Sequence, residues 1–173
     1  MKVTELYPEG VQHVVHNMRA KDRTEIFATQ WTDDPWELGN TILRMEGVGF
    51  ILHADDGEPV LCCGAMPMWN GVMSIWMFST DRFDDVSIPG HRFAKRVFFP
   101  CLDEIGWHRL ECRSIATHHV AHRWLEMLGA RKECEVSNYG KAGETFFQYC
   151  WTKPPADTQS NQTNVSCKDS SSS

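Results

Sequence analysis

The sequence predicts a mixed α/β domain: a twisted, mostly antiparallel sheet of about seven strands flanked by about four helices. Three observations lead there. Two hairpin signals stand in a row, the Asp-Gly turn inside "ADDGEP" and the pair Asn70-Gly71, each set between apolar strand-like runs. Apolar residues recur at helical spacing in other segments. The stretch 117–136, "THHVAHRWLEMLGARKECEV", reads as a helix that ends on Gly129 and runs into a strand.

Each element follows in order. Residues 1–6 form a short first strand. Val11, Val14, Val15 and Met18 keep a helical period after Pro8, and Ile26 and Phe27 extend that helix past Asp22. A second helix starts at an Asp34 cap with Pro35 in its first turn, and Leu38, Ile42 and Met45 share a face. Strands over 48–53, 60–66 and 72–79 make the two hairpins. The last is apolar nearly throughout, which predicts a central place in the sheet. The polar stretch 80–90, "TDRFDDVSIPG", is expected to be a loop. The long helix after it carries Phe93, Ala94, Val97, Phe98, Cys101, Leu102 and Ile105 on one stripe, with a kink or break at Pro100. "WHRLECRSI" is a strand. In the helix that follows, Thr117 is the expected N-cap, and Val120, Ala121, Trp124, Leu125 and Leu128 face the core. His119, His122, Arg123 and Glu126 are expected outside. Residues 130–136 and 145–151 close the sheet as a final hairpin.

The bulk numbers narrow the function classes. A chain of 173 residues supports one domain with a real core, expected over 1–152. Residues 153–173 have almost no apolar side chains to offset their ordering entropy and are expected to be a disordered polar tail. A formal net charge of −6 gives no support to a nucleic-acid or membrane-surface role, each of which needs a basic field. No apolar run reaches the length of a membrane span, and the lysine near the start is not followed by an apolar signal region. The expectation is a protein made and used inside a cell. The seven cysteines, odd in number and irregular in spacing, read as reduced core thiols. The triplets at Asn161 and Asn164 that match a glycosylation pattern are read as chance.

The helix–glycine–strand join carries a family resemblance. "THHVAHRWLEMLGARKECE", with Ala121, Arg123, an aromatic at Trp124 and Leu128-Gly129, resembles the GNAT superfamily of N-acetyltransferases. His118 stands where that family usually has Asn, and Ala130 replaces its Phe. The element order over residues 1 to about 153 fits the same fold. A narrower likeness joins it: "SIWMFSTDRFDDV", then "HHVAHRWLEMLGARKECE", then a final aromatic strand, is similar to the small GNAT-like internal virion proteins of short-tailed phages. That resemblance implies other virion or core proteins as partners, and the infected host cytoplasm or the particle as location.

What the resemblance implies chemically can be set against the residues. Acetyl-CoA would be the cofactor, and no metal is expected. Its diphosphate would meet a Gly-rich loop at a helix start, for which "SIPGHR" is the aligned stretch. Ser87, Gly90, His91 and Arg92 are the candidate contacts, Arg92 being bulky where a small residue normally lets phosphate approach. A solvated basic helix face is the commoner fate of such residues. Met77 and Phe78 would line the pantetheine groove unless they are simply core, and His118 is carried over at the helix start. The family's acid, a Tyr, falls on Leu125, which has no proton to give. Tyr139 and Tyr149 lie outside the motif. His118 and His122 share a helix face at a spacing that can bind zinc, but no second ligand pair follows. Glu5, Glu25 and Glu46 are all candidate bases, and nothing in the sequence selects among them. Three functions remain open: an assembly protein on a scaffold with weak or lost catalysis, an active acetyl-CoA-dependent N-acetyltransferase, and a non-catalytic acyl-CoA-binding module.

Overall fold

The computed structural model describes residues 1–154. Strands β1 (Lys2–Glu5), β2 (Val48–His53), β3 (Pro59–Trp69) and β4 (Val72–Ser79) form one antiparallel run; β5 (Arg109–Ile115), β6 (Arg131–Val136) and β7 (Phe146–Thr152) form a second, with β7 in its middle. The seven make one sheet in the order β1-β2-β3-β4-β5-β7-β6. β4 is therefore central, as its apolar sequence requires, and it runs parallel to β5.

The pleat of the sheet sorts its residues between two layers. On one face α1 (Pro8–His16), α2 (Ala20–Phe27) and α3 (Pro35–Arg44) pack Val11, Val14, Val15, Phe27, Leu38 and Ile42 against Ile51, Cys62, Trp76 and Phe78. On the other, α4 (Phe83–Phe93), α5 (Phe99–Ile105), the turn between them and α6 (His119–Met127) bring Phe83, Val86, Phe93, Phe98, Leu102, Trp124 and Leu125 against Leu52, Leu61, Ile75, Met77, Leu110 and Tyr149.

Four expectations need correction. The first helix does not continue through residue 27. Asn17 closes α1 by donating its side-chain amide to the His13 carbonyl at 2.8 Å; Met18 then bridges to Thr80, and the Arg19 N–H donates to the Ser79 carbonyl. That tether to the end of β4 leaves those residues unable to continue the helix. Second, the stretch expected to be a loop is mostly helix: α4 begins at Phe83. Phe83, Val86, Gly90 and Phe93 lie at spacings of three, four and three, and their burial outweighs the breaker Pro89. Asp85, whose carbonyl Pro89 leaves without a helical donor, is exposed to water.

Third, Pro100 breaks nothing. A wide π turn over Ala94–Phe98 precedes α5 and places Pro100 in that helix's first turn, where it has no N–H to lose. The extra residue per turn shifts the phase of the stripe. Val97 and Ile105, expected inside, come out 48% and 54% exposed. Fourth, α6 is capped by His118, not Thr117, and is rotated from its expected setting: Val120 is 60% exposed, while His122 is buried at 7%.

The end of α6 matches its sequence. Gly129 has φ +92°, its N–H donates to the Glu126 carbonyl at 2.9 Å, and the Ala130 N–H donates to the Leu125 carbonyl at 3.0 Å. This is a Schellman termination, and the positive φ asks for glycine. At the far boundary, Lys153 donates its N–H to the His108 carbonyl and its ammonium to Asp103, above the Trp107 ring. The rest of the expected tail, with Asn161 and Asn164, lies outside the described residues.

Candidate functional site

β4 and β5 pair through only three positions, Val72 with Arg109, Met73 with Leu110, and Ser74 with Glu111. Beyond them β4 stays paired to β3 as far as Ser79, and β5 stays paired to β7 as far as Ile115. The two strands splay apart. Ile75 and Met77 on one side of the wedge, and Cys112, Arg113 and Ser114 on the other, line a cavity of about 140 Å³ roofed by α4 and α6. Its walls are mainly apolar: Leu52, Leu61, Phe83, Phe93, Phe98 and Leu125 are among them. Phe83 on α4 meets Trp124 on α6 edge to face at 6.2 Å. Cys63 and Cys112 also line the cavity, and burial in these apolar surroundings pushes both thiols up to about 12. They are neutral at physiological pH and poorly suited as nucleophiles.

Glu25 from α2 reaches the cavity where the strands are farthest open, and it belongs to a buried cluster. Its Oε2 accepts from Ser114 Oγ at 2.8 Å, the Ile115 N–H at 3.0 Å and His118 Nδ1 at 3.0 Å. Because a carboxylate only accepts, Nδ1 carries the proton in that contact. His118 is 4% exposed, and its Nε2 lies 3.5 Å from Asp22 Oδ1. Asp22 in turn accepts from the Ser79 N–H and Oγ and pairs with Arg19 Nε at 2.8 Å. The Arg19 guanidinium stacks 4.5 Å over the Phe83 ring. Burial holds the Asp22 carboxyl above the ordinary carboxylate range, with Arg19 pulling the other way. The cluster pins α2 to the separated ends of β4 and β5 and to the start of α6.

The start of α4 has a different chemistry. Only Thr80–Arg82 separate it from β4. The N–H groups of Arg82, Phe83 and Asp85 are already donated, to Thr80 Oγ1, the Thr80 carbonyl and the Arg82 carbonyl. Asp81, Asp84 and Asp85 are exposed there. Arg82, the cation at this end, is shared among Asp56 at 2.8 Å, Glu58 at 2.6 Å and Asp85 at 2.8 Å. The Glu58 N–H, followed by Arg82, holds the Asp56 carboxyl below its usual range.

The residues singled out in the sequence separate accordingly. Met77 lines the cavity. Phe78 does not: it points to the opposite face, 1% exposed among the side chains under α1 and α3. Ser87 and Gly90 line the cavity, but from the interior of α4 and not from a loop at its start, where Ser87 Oγ is spent on the Asp84 carbonyl. His91 is half-buried and Arg92 exposed on the same helix. His118 touches the cavity only through Glu25. Among the three candidate bases, Glu25 is at the cavity, whereas Glu5 and Glu46 are exposed elsewhere. Leu125 lines the cavity; Tyr149 is buried beneath His122, and Tyr139 is stacked by Arg113. Burial lowers the pKa of His122, and its Nε2–H donates to the Ile115 carbonyl at 3.0 Å. No group of His, Cys, Asp or Glu among the described residues could hold a metal ion. Asp22 and Ser114 had no local signal, because Ser79, His118 and Glu25, which they meet, lie tens of residues away in the chain; Arg19 pairs with Asp22 only three residues on, at an ordinary helix spacing that marks no site.

This sheet, opened between its central strands and covered by α1–α6, is the GNAT-like acetyltransferase fold. The aminoglycoside 6'-acetyltransferase type Ii shares it at a TM-score of 0.68 and 14% identity, over 91% of this chain and 100% of that one. The ribosomal-protein-S18-alanine N-acetyltransferase of Escherichia coli matches at 0.62 and 14% over 91% and 97%. The ribosomal-protein-alanine N-acetyltransferase of Brucella melitensis matches at 0.69 and 8% over 88% and 100%. No family model matches the sequence, and no curated relative does.

Proposed function

We propose that the chain is an internal virion or virion-assembly protein of a short-tailed phage, built on an acetyltransferase scaffold whose catalysis is weak or lost. One observation supports the loss above others: the helix start that would take the diphosphate of coenzyme A is acidic, and its N–H groups are largely spent. A diphosphate needs free N–H donors and a positive field. Here it would meet Asp81, Asp84 and Asp85 beside an Arg82 already shared among three carboxylates. The residues present do not fit that group. Leu125 at the position of the family's acid adds to the reading. The assembly role is supported by the sequence likeness of residues 74–86 and 118–135 to internal virion proteins. No helix among the described residues is long and apolar enough to cross a membrane.

Calorimetry with coenzyme A and a thiol-release assay with acetyl-CoA and a mixed amine panel test the loss. Neither heat nor saturable release is expected, and peptides of this chain should be found in purified particles. A second reading, an active N-acetyltransferase, is favoured by the Glu25 carboxylate at the open end of the cavity, where a base for an incoming amine would stand. Saturable thiol release abolished by Met77→Trp would establish it. Heat without release would establish an acyl-CoA-binding module instead.

A further inference from the structure

The outer face of α4 carries a charge pattern that nothing in the chain answers. Asp81, Asp84, Ile88, Arg92 and Lys95 follow at spacings of three, four, four and three, which keeps them on one side of the helix. Asp81 stands just before α4 and Lys95 in the π turn after it. All five are exposed, Ile88 by 67%. Among the described residues, the side chains of Asp81, Asp84, Arg92 and Lys95 make no ion pair or hydrogen bond, whereas Arg82 and Asp85 beside them hold each other at 2.8 Å. Along the face the signs run negative, negative, apolar, positive, positive. The spacing is symmetric about Ile88, and the charge inverts across it. Asp84 and Arg92 cannot meet within one chain, because eight residues of helix separate them by about 12 Å.

We propose that this face of α4 docks a second copy of the chain, in a two-fold symmetric dimer with the two α4 helices antiparallel. Turned end for end about Ile88, the face complements itself. Asp84 of each copy lies opposite Arg92 of the other, Asp81 lies opposite Lys95, and Ile88 packs on its own image at the axis. A parallel pairing would set like charges opposite one another and is repelled. Arg96, exposed beside Lys95, adds to the positive end. The seam is about three helical turns long, which places it in the small, reversible class of interface. It stands whether or not the scaffold turns over, since it uses no residue of the wedge.

Sedimentation equilibrium of the full chain tests this, with a reductant present so that the exposed Cys134 cannot link molecules. The average mass should climb from one chain towards two as concentration rises through about 10–100 µM. Raising NaCl from about 0.05 to 0.5 M should weaken the association roughly tenfold by screening the charges. Ile88→Glu sets two carboxylates against each other at the axis and should leave only monomer. Asp84→Arg and Arg92→Asp should each do the same alone. Mixed in equal amounts, those two variants should associate, because both crossed contacts of the mixed pair again join opposite charges. The substituted positions are exposed, and circular dichroism checks that each variant stays folded. The proposal is overturned if the wild type remains monomeric up to about 1 mM. It is equally overturned if a dimer survives Ile88→Glu, or if the mixture of the two charge variants does not associate.

Discussion

The two faces of β4 are made by alternating residues of one strand, yet one is solid and the other hollow. Trp76 and Phe78 are stacked at 5.8 Å and close the layer beneath α1 and α3. Ile75 and Met77 look instead into the wedge, where β5 has turned away. The difference comes from the neighbours. Under α1 and α3, Val11, Val14, Val15 and Leu38 pack directly against that layer. On the other side α4 and α6 rest on one another through Phe83 and Trp124, and that contact props the roof above the floor. A strand's hydrophobicity therefore does not determine whether its surroundings are filled.

Truncating each face breaks this comparison most directly. Phe78→Ala should cost about 3–5 kcal/mol in urea denaturation, while Met77→Ala should cost about 1–2 kcal/mol, because its contacts on one side are already missing. Equal losses would mean that the wedge is packed in solution. Next in size is His118→Ala, expected to cost about 3 kcal/mol by leaving Asp22 and Glu25 buried without their shared partner. A near-neutral result would show that water enters the cluster freely.

Gly129→Val should cost about 1–2 kcal/mol. A Cβ at Gly129 meets only Trp151, at 3.9 Å, so the penalty is backbone strain and not crowding. Gly129→Ala should then lose nearly as much, and a large gap between the two variants would point to packing instead.

The smallest effect is in pH dependence. Burial raises the Asp22 carboxyl, so the folded state binds its proton more tightly than the unfolded chain does. Its ionisation therefore lowers stability as pH climbs through the window above about 4, and costs nothing below it. Wild type should lose stability relative to Asp22→Asn as pH rises above about 4. Asp56 and Glu133, whose carboxyls are lowered by their partners, act in the opposite sense in both proteins and cancel in the difference. A difference of the opposite slope would show that Arg19 outweighs burial.

The hairpins were legible because Asn70-Gly71 and the alternating strands are local signals, and so was the end of α6, since Gly129 needs only its own φ. The start of α4 was not, because Pro89-Gly90 and three aspartates resemble a loop. The competing signal, Phe83, Val86, Gly90 and Phe93, includes a glycine that periodicity does not count as apolar. The inward turn of His122 was missed for the same reason, a polar type being assumed to face water. At the site, Met77 could be placed from its position on β4, but Phe78 could not occupy the same groove, given the two-residue period of a strand. Glu25 was one of three equivalent carboxylates until the chain brought Ser114 and His118 to it.

The three-position seam between β4 and β5 also bears on how the chain folds. β2, β3 and β4 follow one another through tight turns, so each new pairing closes a short loop. β5 can join β4 only after all of 80–108 has been ordered, which is the larger entropic step. Non-local pairing of that kind is slow. Until the seam shuts, β4 and β5 each show a bare edge, the feature that lets one half-folded chain recruit another. With so few rungs to hold it, the seam makes rapid completion of the long α4–α5 helix the chain's main protection against aggregation during synthesis.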